Sequence, residues 1–297
     1  MNCMKLSDTD NQGFLDWIRE CNQYDLNNFL PFKVDSAVIG YVCRDFAPKL
    51  LNYSHILHVS KSHIQFVAGI DDFDSRTAAM AELSADLYEK KELSSWVGEH
   101  YDVAEHYEQS PLFTIERAAA TLFGINKYGV HLNAYVLKDG RYHLWVAKRA
   151  MDKPTWPGKL DHLVAGGHAH DMGIAETLIK ECAEEAGMPF SLAEQAQAVG
   201  LVDYVVEVAN KLSRDTLFVY DILLPESFVP ENTDGEVDEF YLWPIDKVLQ
   251  RVNNSRDYKT NCNLVIIDFA VRHGFICPDQ PLYTDIVKGL RDNAISS

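Results

Sequence analysis

The stretch AGGHAHDMGIAETLIKECAEEAGM, residues 165–188, decides the fold. It opens on a Gly166–Gly167 pair, crosses a short loop, and from Ala175 to Ala186 holds helix-forming residues until Gly187 stops it. Glu181, Glu184 and Glu185 stand three and four positions apart in this helix, so they project from one face within reach of one another. Three like charges so placed repel unless water screens them or a cation sits between them. Taken alone, the cluster is either a solvated acidic helix face or a site for a hard divalent cation. Carboxylate oxygens would select Mg2+ or Mn2+ over zinc.

Outward from this helix the chain falls into two parts. Upstream, VHLNAYVLKDGRYHLWVAKRA alternates apolar and polar residues on both sides of Asp139-Gly140, which predicts a β-hairpin. Downstream, VGLVDYVVEVA, TLFVYDILLP and EFYLWPI read as strands, followed by helices around residues 245–252 and 259–273. This half predicts a mixed sheet with helices. The earlier half predicts a small α+β domain: a helix over 8–30 closed by Pro31, strands at AVIGYVC and HIQFVAG, a helix at RDFAPKLLNY and a long one at SRTAAMAELSADLYEKKELSSWV. One more helix is expected over SPLFTIERAAATLFGI, with Gly124 as its stop. The expected partition is residues 1–124 and 125–297, and a chain of 297 residues is long enough for two cores.

Composition narrows the function. With 27 basic against 44 acidic residues the net charge is -17, a field that repels polyanions and argues against nucleic acid as a partner. No apolar run approaches the ~18 residues of a bilayer span, so no membrane partner is expected. The N-terminal residues lack a basic segment followed by an apolar one, so the expectation is a cytoplasmic protein. Six cysteines without a C-x-x-C pair are expected to be reduced thiols. His168 and His170 form an H-x-H pair beside Asp171, but without a third His or Cys nearby they do not make a zinc site. A small phosphate ligand would need local help on so acidic a protein, such as a metal.

The glycine pair, loop, helix and closing glycine together resemble the Nudix hydrolase family, whose box is G-x5-E-x7-R-E-U-x-E-E-x-G-U. Gly166 falls on the first glycine, Lys180 on the arginine, Glu181 on the first helix glutamate, Glu184 and Glu185 on the pair, and Gly187 on the last glycine. Cys182 and Met188 take the two apolar positions. Two positions depart: Lys180 keeps the charge without the planar fork of arginine, and Met172 stands where the family usually has a glutamate. FLPFKVDSAVIGYV, FTIERAAATLFGINKYGVHLNAYV, LWVAKRAMDKPTWPGKLDHLVAGG, DTLFVYDILLPESFVPENTDGEVDEF and YKTNCNLVIIDFAVRHG extend the likeness over nearly the whole chain. They are similar to the Nudix subgroup with a dedicated N-terminal domain, related to the Nudix region of fungal thiamine pyrophosphokinase.

The resemblance implies an α/β/α sandwich around a mixed sheet, preceded by the small α+β domain, and hydrolysis of a small-molecule diphosphate with Mg2+ (or Mn2+). It implies Glu181 and Glu185 as metal ligands, Glu184 as a further ligand or as the base, and Gly166 as a candidate carbonyl ligand. Glu236 and Glu239, in the later loop TDGEVDEFYLWPI, are candidates for a base from outside the box. Lys180, Arg149, Lys153, Arg214 and Lys259 are candidates for phosphate contact, and Trp156 for stacking on a substrate ring. The subgroup likeness points to thiamine diphosphate or its oxidised forms, cleaved to the monophosphate and phosphate. Hydrolysis of ADP-ribose or a nucleoside diphosphate sugar, and a catalytically silent ligand-binding protein, are the alternatives. The first domain is expected to shape the far end of the pocket, around FLPFKVD, in the same chain or across a homodimer.

Overall fold

The computed structural model describes residues 11–153, 155–291 and 295. After a helix α1 (Gln12–Glu20), a first sheet is built from β1 (Phe29–Val34), β2 (Ala37–Cys43), β3 (Leu57–Val59) and β4 (Ile64–Phe66), in the order β2-β1-β4-β3. β1 alternates buried Leu30, Phe32 and Val34 with less buried neighbours, so it is a strand where the sequence pattern had extended the first helix. Ala47–Tyr53 is a 3-10 helix. α2 (Phe73–Glu89) is started by a reciprocal cap, in which Asp72 accepts from the Ser75 backbone N–H and Ser75 Oγ accepts from that of Asp72. It buries Met80, Leu83 and Leu87 in one core with Phe32, Ile64, Phe113 and Phe123.

The helix expected over 110–125 is a correction. Phe113–Glu116 is a strand, β6, paired antiparallel with β5 (His100–Val103), and only Arg117–Ala120 turns as a short helix, α3. Phe113, Thr114 and Ile115 are all buried, so tertiary burial on both faces overrides the helix propensity of the alanine run that follows.

The second half is a seven-stranded mixed sheet. Its path is β11 (Gln197–Val208), β12 (Lys211–Leu223), β7 (Asn126–Lys138), β8 (Arg141–Arg149) and β13 (Val237–Pro244). β9 (Leu160–His162) pairs with β8, and β10 (Val164–Gly167) pairs with β7. β12 and β7 run parallel and the remaining pairs antiparallel. The β7–β8 hairpin turns at Asp139 and Gly140, both with positive φ, as its two-residue loop requires. α4 (Ile174–Ala186) covers one face through Leu178, Cys182 and Ala186 against Val130, Leu132 and Ile222, and α5 (Phe190–Ala193) follows it. α6 (Ile245–Asn254) and α7 (Thr260–Arg272) cover the other face against Leu144, Val146 and Val219, and α8 (Tyr283–Gly289) closes the described chain.

The result is the expected α/β/α sandwich. α1 joins its second helix layer: Phe14, Trp17 and Ile18 pack with Val252, Leu264 and Ile286, and the Trp17 indole N–H donates to the Val252 carbonyl. Cys21, Cys43, Cys182 and Cys262 are free and buried, whereas Cys277 is disulfide-bonded, a correction to the expectation of reduced thiols. Cys277 is only half-buried, just beyond α7, where a thiol is open to a partner. Cys3 and residues 8–10 of the predicted first helix lie outside the described residues. Among the described residues no helix is long and apolar enough to cross a membrane.

Candidate functional site

α4 is held at both ends. At its start the Gly173 backbone N–H donates to the Glu176 carboxylate at 2.8 Å, and at its end Gly187 takes a positive φ of 59°. The last carbonyls are capped by the loop before β13: the Glu231 N–H donates to the Ala186 oxygen and the Thr233 hydroxyl to the Glu184 oxygen. The helix is therefore a fixed platform for its glutamates.

Glu185 is buried, 7% exposed, and accepts a 2.8 Å hydrogen bond from the Ala165 N–H on β10. Burial pushes its carboxyl well above the usual carboxylate range, and the neighbouring Asp161 and Glu181 push the same way. Glu181 lies against Gly166, where an added Cβ would overlap its carboxyl carbon. Burial raises its pKa as well, offset in part by Lys180. Glu184 is more open, and Lys180 sits between Glu184 and Glu181 with its ammonium 2.9 and 3.2 Å from their carboxylates. Glu185 and Glu181 thus lie against β10, and Lys180 joins Glu184 to Glu181. A carboxylate as buried as Glu185, with one N–H donor and like charges beside it, needs a cation to stay ionised, and its hard oxygen neighbours suit a divalent metal. The Gly166 carbonyl lies against Gly129 of β7, 2.8 Å from where a Cβ there would sit.

The remaining candidates go elsewhere. Glu236 pairs with Lys153, and Glu239 with Lys148 and the Tyr241 hydroxyl, all at the β8–β13 edge. Arg149 and Lys259, expected at a phosphate, instead bind Asp161 at 3.0 and 3.3 Å inside the protein. Burial alone would raise the Asp161 pKa, but Lys259, His131 and Arg149 outweigh it and hold the carboxyl well below its usual range. Arg214 lies over the Tyr41 ring and donates to the Gly124 carbonyl at 3.4 Å, at the junction of the two halves. Trp156 is exposed in a loop with a positive φ of 53°.

A second group, His131, Asp161, His162 and Cys262, brings potential ligand atoms within 4.8 Å of one another. Its carboxylate is already satisfied by Arg149, Lys259, the Cys262 thiol and the His162 N–H. With two cations in place, it is a charge cluster that braces β9 against α7.

The first half reaches the box loop, through residues other than those of the expected FLPFKVD segment. The His170 N–H donates to the His100 carbonyl, His170 Nδ1 is 2.6 Å from Asp102 Oδ1, and the Tyr101 hydroxyl fills the space beside Gly167. His168 Nδ1 is 2.9 Å from Thr177 Oγ1 on α4. Tyr101, Asp102, Ala104, Tyr107 and Gln109 face Asn126, Tyr128 and His168 across a cavity of about 240 Å³. By contrast, Leu30, Phe32 and Val34 of the FLPFKVD segment are core residues. No periodicity marks residues 104–110, so nothing in the sequence singles them out.

Comparison with known proteins agrees with this geometry. Residues 127–263 match the NUDIX domain, and residues 13–127 match a domain of unknown function, DUF4743. The chain is 41% identical over 292 residues to Nudix hydrolase 24, chloroplastic, of Arabidopsis thaliana, covering 97% of this chain and 80% of that protein. It is 39% identical over 299 residues to Nudix hydrolase 20, chloroplastic, of the same plant, with the same coverage. An uncharacterised protein of Saccharomyces cerevisiae, YJR142W, is 35% identical over 296 residues, covering 89% of this chain and 85% of that one. With Glu181 and Glu185 set against β10 and these relatives matched along most of their length, the chain belongs to the Nudix hydrolase family.

Proposed function

We propose that the chain hydrolyses a small-molecule diphosphate with Mg2+, Mn2+ serving in its place, and that the substrate is thiamine diphosphate or an oxidised derivative, cleaved to the monophosphate and phosphate. Residues 1–124 are taken as the accessory, specificity-giving domain and 125–297 as the hydrolase domain, with α1 packed on the latter. The observation that carries the hydrolase reading is the buried Glu185 beside Glu181 and Glu184, an arrangement of like charges that is costly without a cation. The subgroup likeness supports the thiamine compounds as substrates.

A divalent ion here would neutralise the diphosphate and acidify an attacking water. Glu185 and Glu181 would hold it. Glu184, the most exposed of the three, would take a further coordination position or accept the proton of the water. Lys180 keeps Glu181 and Glu184 apart from each other's charge and in place. Gly166 contributes the absence of a side chain, which lets the Glu181 carboxyl lie on the strand. The acidic protein and the anionic substrate are reconciled only through the metal.

The test is a product-resolved hydrolysis screen with Mg2+ over thiamine diphosphate, ADP-ribose and a nucleoside diphosphate sugar. Free phosphate and thiamine monophosphate support the reading. Turnover of ADP-ribose or the nucleoside diphosphate sugar alone, to a nucleoside monophosphate and a sugar phosphate, would replace the substrate class, and no metal-dependent turnover of any diphosphate would remove the hydrolase reading.

A further inference from the structure

The cavity of about 240 Å³ between the N-terminal residues and the box loop has walls of three tyrosines, Tyr101, Tyr107 and Tyr128, and of His168, with one carboxylate, Asp102, and the amides of Gln109 and Asn126. Among the described residues no lysine or arginine lines it; Arg117 lies over the Tyr101 ring, 5.9 Å from its centroid, and pairs with Glu99 at 2.7 Å. Burial pushes the Tyr101 hydroxyl up to about 12 and raises those of Tyr107 and Tyr128, so the phenols stay neutral. The one carboxylate of the lining is that of Asp102, whose Oδ1 lies 2.6 Å from His170 Nδ1.

The rings are preorganised. Tyr107 meets Tyr128 at 4.9 Å, Phe218 at 4.8 Å and His168 at 5.9 Å between centroids. The faces of such rings carry negative potential and attract a cation, most strongly in a site closed to water. The cavity is also tied to the proposed metal end: His168 contacts Thr177, one helical turn before Glu181 on the same face of α4.

We propose that this cavity is the binding site for the non-phosphate half of the substrate, and that it takes a positively charged heteroaromatic ring, with Asp102 and Tyr107 as its specificity-determining residues. Neutral rings would stack on the same walls but would gain nothing from Asp102. An anionic group would be repelled by it. The orientation, ring in the cavity and diphosphate toward Glu181, rests on the hydrolase reading above. The ring site itself does not. It also gives the N-terminal domain a chemical task, because Tyr101, Asp102 and Tyr107 all precede the Nudix portion of the chain.

The experiment is equilibrium binding to the full-length protein in EDTA, so that no turnover occurs, with thiamine as a cationic probe and adenosine as a neutral one, neither carrying phosphate. Thiamine should bind at least tenfold more tightly than adenosine. Asp102→Asn should erase most of that difference while leaving the adenosine value unchanged, and Tyr107→Leu should weaken both. Thermal melts report whether each variant is folded; if Asp102→Asn is not, Tyr107→Leu decides, and unchanged thiamine binding in a folded Tyr107→Leu protein overturns the assignment. Equal affinities for the two probes in wild type overturn it as well. Thiamine binding as described together with no hydrolysis of thiamine diphosphate by the Mg2+-loaded protein would leave the ring site standing and remove the functional reading. Hydrolysis with KM unchanged in both variants would do the reverse.

Discussion

Glu181 rests its carboxyl group on the backbone of Gly166: a Cβ at Gly166 would overlap the carboxyl carbon and Cγ of Glu181. The obstruction is the far end of a flexible side chain, so Gly166→Ala is expected to move the carboxylate and leave the fold in place. A displacement of about 1 Å at a reacting centre can cost on the order of 100-fold in rate. Metal-dependent turnover should fall by that order while the melting temperature changes little. Full activity in Gly166→Ala would show that Glu181 does not work from this position.

Met172 stands where the family usually has a glutamate. Glu185 is bonded to β10, and Glu181 and Glu184 are joined through Lys180, without a carboxylate from residue 172. Met172→Glu should therefore be tolerated and leave kcat within about threefold of wild type, well under the ~10-fold that 1.4 kcal/mol represents. A large gain in rate would mean that the site is short of a ligand.

Asp161 holds two buried cations, Arg149 and Lys259. Asp161→Asn leaves both without a counter-charge and should destabilise the fold by about 3 kcal/mol, the scale for breaking a buried pair. The native carboxyl has a pKa below its ordinary 3.8. Its contribution is thus complete above that value and is lost as pH falls from there through the folded pKa. Denaturant midpoints between about pH 5 and pH 2 should drop more steeply for wild type than for Asp161→Asn. Parallel curves would show that the carboxylate is not the group being titrated.

The box was legible because its signal is local. Spacings of three and four place Glu181, Glu184 and Glu185 together on any helix, and Gly187 marks where that helix ends. The β7–β8 hairpin was legible for the same reason, from alternation around Asp139-Gly140. What the sequence hid is set by distant partners. Arg149 and Lys259 look like free cations until folding brings Asp161, 12 and 98 positions away, between them. The pattern of Phe14, Trp17 and Ile18 tells that α1 buries a face, but not that the face meets α6, α7 and α8 of the other half. β6 was hidden because strand burial of Phe113 and Ile115 competes with the strong helix propensity of Ala118–Ala120. Asp102 and Tyr107 carry no motif at all; only the pairing of β5 with β6 and the docking of His170 on His100 bring them to the box loop.

The central claim is that the glutamates at β10 bind the divalent ion that drives diphosphate hydrolysis, and Glu185→Gln tests it most directly. The measurement is phosphate release from thiamine diphosphate by the full-length protein, wild type against Glu185→Gln, across a Mg2+ titration, with melting temperature as the control. Removal of Mg2+ by EDTA should abolish wild-type turnover. A metal contributes several kcal/mol to transition-state stabilisation, so the substitution should lower turnover by at least about 100-fold and weaken the Mg2+ dependence. The metal-free variant should melt no lower than wild type, because burial already disfavours the Glu185 charge. Unchanged Mg2+-dependent turnover in a folded Glu185→Gln protein would contradict the account.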